Sequence, residues 1–216
     1  MTQLDGPRLL PADGEVRKLV ILCHGYGSDG RDLIALGEAW APLMPHTAFV
    51  APNAPLRCDM APTGYQWFPL NSLEPAERYI GAEAAAPVLD RFIDQELARY
   101  RLREEDVALV GFSQGTMMSL FVGLRRRARL AGILGYSGML VAADALEEAI
   151  AATPPVFLIH GSADELIPSR AASDAAELLA TLGVPAQFHI CNAVGHGISP
   201  EGLELGGDFL RRVLHP

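Results

Sequence analysis

Residues 111–115 read Gly-Phe-Ser-Gln-Gly. The apolar run Val107-Ala108-Leu109-Val110 precedes them, and Thr116-Met117-Met118-Ser119-Leu120-Phe121 follows as a buried helical segment. A serine held between two glycines at such a junction needs a turn too tight for flanking side chains. Glycine meets that need because it has no Cβ to clash. The turn lifts the Ser113 hydroxyl to the end of a sheet and sets it at a helix N-terminus, as in a nucleophile elbow. The chain is thereby restricted to folds in which a buried strand feeds straight into a helix.

The rest of the sequence agrees. Apolar strand-like runs are predicted at 17–23, 47–51, 106–111, 131–136, 155–160 and 186–191. Helices are predicted at 30–40, 75–100, 114–128, 143–151, 169–182 and 200–213. This alternation implies an α/β fold with a mostly parallel sheet and helices on both faces. Continuous apolar runs suit strands buried on both sides. Residues 7–11, before the Asp13-Gly14 turn, read as an extra edge strand. No repeat or internal linker interrupts the chain, which reads as one domain over 1–216.

A serine hydroxyl is a weak nucleophile until a base takes its proton. The histidines after Ser113 are His160, His189, His196 and His215. His215 lies at the frayed C-terminus, and His189 sits in the alternating run Ala186-Gln187-Phe188-His189-Ile190, where a surface or structural role is expected. His160 ends the strand Val156-Phe157-Leu158-Ile159 and is read as structural, beneath the site. His196 lies in the loop Val194-Gly195-His196-Gly197 after a strand, and is the expected base. The carboxylate that orients it is sought in His160-Gly161-Ser162-Ala163-Asp164-Glu165. Spacing leaves Asp164 and Glu165 both open, and Asp164 could equally serve as a helix-entry cap. An oxyanion hole would take one N–H from Gln114, after the nucleophile, and one from the loop after the early strand Lys18–Cys23. That loop, His24-Gly25-Tyr26-Gly27-Ser28-Asp29-Gly30, lacks both nucleotide-binding glycine patterns.

Two further segments bear on function. Gly135-Tyr136-Ser137-Gly138-Met139 also places a serine after a strand. The last position of the pattern is Met139, so Ser137 is expected to be structural. Residues 52–74 hold Pro52, Pro55, Pro62 and Pro69 with no regular period. Loops of that length are usually functional or disordered. Met60, Tyr65, Trp67, Phe68 and Leu70 need somewhere to pack. The segment is read as a cap over the serine in which Trp67 and Phe68 line an acyl pocket. The alternative is that they staple the loop to the body. Leu166 and Ile167, directly after the acid, are expected to add to the same apolar pocket.

Taken in order, several motifs resemble the phospholipase/carboxylesterase family of the α/β-hydrolase superfamily, which includes acyl-protein thioesterases and small bacterial carboxylesterases. They are Cys23-His24-Gly25-Tyr26-Gly27-Ser28-Asp29-Gly30, Ala51-Pro52-Asn53-Ala54-Pro55, Trp67-Phe68 and Gly111–Gly115. His160-Gly161-Ser162-Ala163-Asp164 with Pro168 follows, then Gly195-His196 with Ile198, Pro200 and Glu201. The resemblance implies an α/β-hydrolase fold with Ser113 as nucleophile, His196 as base and Asp164 as its orienter. It also implies the backbone N–H groups of Cys23 and Gln114 as the oxyanion hole. Three departures stand out: Thr116 where many relatives have glycine, Cys23 where many have leucine, and Pro69 where many have aspartate.

Composition narrows the remaining classes. The net charge is −9, and basic residues cluster only at Arg125-Arg126-Arg127 with Arg129. That cluster is expected to be a solvated helix end, not a nucleic-acid patch. No apolar run is long enough to span a bilayer, so stable membrane insertion is not expected. The N-terminal residues show no secretory pattern. Cys23, Cys58 and Cys191 are scattered without a C-x-x-C, which predicts neither a disulfide nor a zinc site and fits a reducing cytoplasm. The expected activity is a serine carboxylesterase or thioesterase. It would act on small acyl esters or thioesters of short to medium chain, through an acyl-serine intermediate, without a metal or organic cofactor. A homodimer is compatible with the sequence. The competing readings are a catalytically idle small-ligand receptor, or a lysophospholipase or peptidase on the same fold.

Overall fold

Seven strands make one twisted sheet in a computed structural model that describes residues 3–70, 74–141 and 143–215. The strands are β1 (Arg8–Leu9), β2 (Lys18–Cys23), β3 (Thr47–Val50), β6 (Val107–Phe112), β7 (Gly132–Tyr136), β8 (Val156–Gly161) and β9 (Ala186–Cys191). A separate small hairpin pairs β4 (Leu56–Arg57) with β5 (Tyr65–Gln66). The order across the sheet is β1-β3-β2-β6-β7-β8-β9. β1 pairs antiparallel with β3, and every other neighbour is parallel. The edge strand expected within 7–11 is therefore present as β1. Arg8 on it forms an ion pair with buried Glu96.

The helices are α1 (Gly30–Trp40), α2 (Pro75–Tyr100), α3 (Gln114–Gly123), α4 (Leu146–Ala149), α5 (Arg170–Thr181) and α6 (Pro200–Leu214). Strand side chains alternate between two buried faces, as a doubly covered sheet requires. Leu19, Ile21 and Leu109 pack with Leu89, Phe92, Ile93 and Met118 of α2 and α3. Val20, Leu22 and Val110 pack with Trp40 of α1 and Phe209 and Leu210 of α6. α5 closes a third cluster through Leu179 against Ile133 and Leu158.

Some boundaries differ from the sequence reading. The helix expected over 114–128 stops at Gly123. Arg126 does not lie along its solvated end: its side chain is 7 % exposed and pairs with Asp90 and Asp94 at 2.5 and 2.7 Å. Arg125 lies over the Phe121 ring, 3.7 Å from its centroid. The expectation of a solvated arginine cluster is thus corrected for these two residues, because carboxylates of α2 and an aromatic face receive them. The helix expected over 143–151 is a short 3-10 turn, Ala143–Ala145, followed by the single turn of α4.

The chain leaves β2 for β3 on one side and runs from β6 to β9 on the other. The switch point therefore falls between β2 and β6. In open α/β sheets, ligands bind outside the C-terminal ends of the strands at such a point. The loop after Cys23 and the turn at Ser113 both emerge there.

Candidate active site

Ser113 joins β6 to α3 with φ 52° and ψ −115°. A non-glycine residue at positive φ is strained and is held by its surroundings. A Cβ on Gly111 would sit 2.4 Å from Thr116 Cα, and one on Gly115 would sit 1.8 Å from the Cys23 carbonyl oxygen. The glycines on both sides of the turn are thus obligatory. The Ser113 N–H donates to the Tyr136 carbonyl at 2.9 Å, tying the turn to β7.

Asp164 and His196 meet directly. His196 Nδ1 lies 2.8 Å from Asp164 Oδ2. That contact places the ring proton on Nδ1 and leaves Nε2 free to accept one. The Phe112 and His196 ring centroids are 5.0 Å apart, so the imidazole rests against the residue preceding Ser113. The loops carrying Asp164 and His196 are bound to each other. The Ala163 N–H donates to the Val194 carbonyl, the Ser162 N–H to the Cys191 carbonyl and the Ala193 N–H to Ser162 Oγ.

The Asp164 side chain is fully buried. Burial pushes its carboxyl pKa up, but the N–H of Ile167, His196 and the N–H of Leu166 outweigh that and hold it below the ordinary carboxylate value. His160, 1 % exposed, adds a further donor: its Nε2 lies 3.0 Å from Asp164 Oδ2 and 2.9 Å from the Ile167 carbonyl. Both partners are acceptors, so this nitrogen carries a proton. The neighbour Glu165 is exposed.

Gln114, the first residue of α3, has an N–H without an intrahelical acceptor. Its buried amide holds the Trp67-Phe68 stretch: Oε1 accepts from the Trp67 N–H at 2.9 Å, and Nε2 donates to the Phe68 carbonyl at 2.8 Å. Trp67 Nε1 also donates to the His24 carbonyl at 2.9 Å. Trp67 and Phe68 are each 1 % exposed. They therefore offer a ligand almost no surface and act as staples. The acyl-lining reading is corrected for both, because their faces are spent on the core. Residues 71–73, at the end of the 52–74 segment, lie outside the described residues. Leu166 is 72 % exposed beside the acid, and Ile167 is half-buried against the core.

Cys23 requires a correction. The Lys18 N–H donates to the His46 carbonyl on the β3 side. Successive residues of a parallel strand turn their amides alternately to the two neighbours, so Leu19, Ile21 and Cys23 face β6. With Cys23 in register with Gly111, its N–H points at the Val110 carbonyl and belongs to the ladder. It is not available as an oxyanion donor. Its thiol is fully buried, and burial pushes its pKa up to about 12, only partly opposed by the neighbouring Ser119. Sequence alone does not reveal where the ladder ends.

His24 was not singled out by the sequence reading, though it stands in the quoted loop motif. Its Nε2 accepts from the Ala54 N–H at 2.9 Å, so Nδ1 carries the proton and donates to the Gly25 carbonyl at 2.8 Å. Burial lowers its pKa. The imidazole thus ties the loop after β2 to the segment after β3. Among the described residues, the N–H groups of Gly25 and Tyr26 make no hydrogen bond.

The decoy serine is also explained. Ser137 has φ 45° but is 1 % exposed, with its hydroxyl 3.4 Å from the Gly197 carbonyl. A Cβ on Gly138 would lie 2.3 Å from Thr116 Cβ. The turn at Ser137-Gly138 makes room for Thr116, whose hydroxyl donates to the Tyr136 carbonyl at 2.9 Å.

A strained serine after a central strand and an Asp–His pair on later loops, set on a mostly parallel sheet, define the α/β-hydrolase class. The chain belongs to the Phospholipase/Carboxylesterase family, whose pattern it matches over residues 4–214. It is 30 % identical to acyl-protein thioesterase 1 of Gibberella zeae, over 97 % of this chain and 96 % of that protein. It is 25 % identical to acyl-protein thioesterase 1 homolog 1 of Dictyostelium discoideum, over 90 % of each. The solved structure of esterase PE8 superposes with a TM-score of 0.95 at 47 % identity, covering 98 % of this chain and all of the other. Among the described residues, no helix is long and apolar enough to cross a membrane.

Proposed function

We propose that the chain is a serine esterase or thioesterase that hydrolyses short- to medium-chain acyl esters or thioesters. The observation that carries this reading is the 2.8 Å contact between His196 Nδ1 and buried Asp164, beside the strained turn of Ser113. Ser113 Oγ attacks the acyl carbonyl carbon, and its proton passes to His196 Nε2. The N–H of Gln114 and one from the Gly25-Tyr26 loop receive the developing oxyanion. A positioned donor of this kind is worth about 10²–10³ in kcat. His196 then protonates the departing alcohol or thiol. Water, deprotonated by the same imidazole, releases the acid and restores Ser113.

The acyl chain is assigned to the groove of about 330 Å³ lined by Met139, Leu140, Ala143, Pro168, Ala171, Ala175 and Leu178, with Arg170 and Asp174 as its charged members. It adjoins the turn at Ser137-Gly138 and the segment after Asp164. Its size is at the low end of small-molecule sites, which supports shorter acyl groups. The names of the thioesterase and esterase relatives support the same substrate class. Residues 52–70 are read as a fixed wall of the site within a single domain.

Labelling with a fluorophosphonate, followed by peptide mass spectrometry, tests the reading. Modification at Ser113 with loss of ester hydrolysis is expected. An unlabelled but folded protein would identify an idle receptor instead. A panel of esters and thioesters of graded length then separates the substrate classes.

A further inference from the structure

His189 and Cys191 stand two residues apart on β9, and Glu201 lies in the first turn of α6. An imidazole nitrogen, a thiol sulfur and a carboxylate oxygen from these three all lie within 4.8 Å of one another. His189 Nε2 already touches Glu201 Oε1 at 2.8 Å. Cys191 is 2 % exposed, whereas the His189 and Glu201 side chains are 36 % and 57 % exposed. The sulfur is thus the buried member of the group, and the other two reach solvent.

We propose that His189, Cys191 and Glu201 bind a borderline-soft divalent cation, with Zn²⁺ the best match. A mixed nitrogen, sulfur and oxygen donor set suits Zn²⁺ and not the hard cations Mg²⁺ and Ca²⁺, which take oxygen ligands. Tetrahedral coordination at Zn²⁺ bond lengths sets ligand atoms roughly 3.5 Å apart. The present spacing reaches that by side-chain rotation. Water takes the fourth position. On binding, the Cys191 thiol proton leaves to solvent, and the His189 ring proton moves to Nδ1 so that Nε2 can coordinate. The thiolate and the carboxylate together balance the charge of the ion.

The ion would join Cys191 to Glu201, the two ends of the segment that carries His196. It would therefore clamp the base-bearing loop. Scattered cysteine spacing hides this site, because a strand and the following helix bring the ligands together.

The test titrates Zn²⁺ alone into the chelator-treated full chain by calorimetry, in buffers of different ionisation enthalpy. One equivalent with proton release is expected, together with a rise in Tm. Co²⁺ in its place is expected to give thiolate-to-metal charge-transfer absorption. Cys191→Ser should abolish that absorption, and Cys191→Ser, His189→Gln and Glu201→Gln should each weaken Zn²⁺ by more than about tenfold. His189 and Glu201 are surface positions, so their variants remain informative if Cys191→Ser does not fold. Unchanged affinity in His189→Gln and Glu201→Gln, or no Co²⁺–thiolate band in the folded wild type, overturns the site. These readouts need no substrate and stand apart from the hydrolytic reading.

Discussion

His160 Nε2 lies 3.0 Å from Asp164 Oδ2, the same oxygen that His196 Nδ1 contacts at 2.8 Å. One carboxylate oxygen is thus fixed between two imidazoles, and it keeps a single direction toward the base. His160→Phe removes the inner donor. A buried group that loses its partner costs about 1–3 kcal/mol, so the denaturation midpoint should fall. The kcat is expected to fall as well, while His160→Gln, which keeps a donor, should recover part of it.

Ser113→Ala should leave less than about a hundredth of the wild-type rate, with an unchanged circular dichroism spectrum. Ser137→Ala, at the second turn of positive φ, should stay within a few-fold. If the two variants lost activity alike, the assignment of nucleophile would be wrong.

Gln114→Ala keeps the backbone N–H but strands the Trp67 N–H and the Phe68 carbonyl, both buried. About 1–3 kcal/mol is at stake for each. Stability by urea titration should therefore drop more steeply than kcat, in contrast to Ser113→Ala. Trp67→Ala should cost about 3–5 kcal/mol for the same reason of burial.

Acid should weaken the fold in two stages. Burial depresses the His24 pKa below its unfolded value of about 6.5. Its contribution is therefore complete above that value and is lost as pH falls toward the folded pKa. Asp164, also depressed, keeps its contribution above the unfolded carboxylate value of about 3.9 and loses it as pH falls through the folded pKa. Denaturant midpoints across pH should show both stages. His24→Gln should remove the upper one and Asp164→Asn the lower.

Leu166 is 72 % exposed beside the acid. Leu166→Ser should change stability by no more than about 0.5 kcal/mol. It should lower kcat/KM more for longer acyl esters than for acetate esters. Equal loss for all chain lengths would remove Leu166 from the acyl path.

The sequence carried the strands and the motif residues because buried parallel strands are nearly continuous apolar runs, and a glycine-flanked serine needs one kind of turn. It did not carry which amide of the early strand stays free. Cys23 N–H is consumed by the register with Gly111, a pairing between segments far apart in the chain. Nor did it show that Arg126 turns inward, because Asp90 and Asp94 lie on another helix. Trp67 read first as pocket lining, with a staple as the alternative, and its burial separates the two. Asp164 and Glu165 were likewise left open by spacing, whereas backbone donors and two histidines converge on Asp164 alone.

Among the described residues, the strand β9 stands at the sheet edge and pairs only with β8. α6 then packs on the sheet face over β6, β7 and β8, with the Tyr136 hydroxyl on the Gly202 carbonyl and Trp40 Nε1 on the Leu203 carbonyl. Ser113 lies well before His196 in the chain, so the ribosome delivers its turn before the imidazole that would activate it on the proposed mechanism. On that reading, a nascent polypeptide carries Ser113 without its base and is silent toward esters around it. On the proposed mechanism, turnover begins only when the C-terminal helix has docked, so the order of residues along the chain works as a safety catch during synthesis.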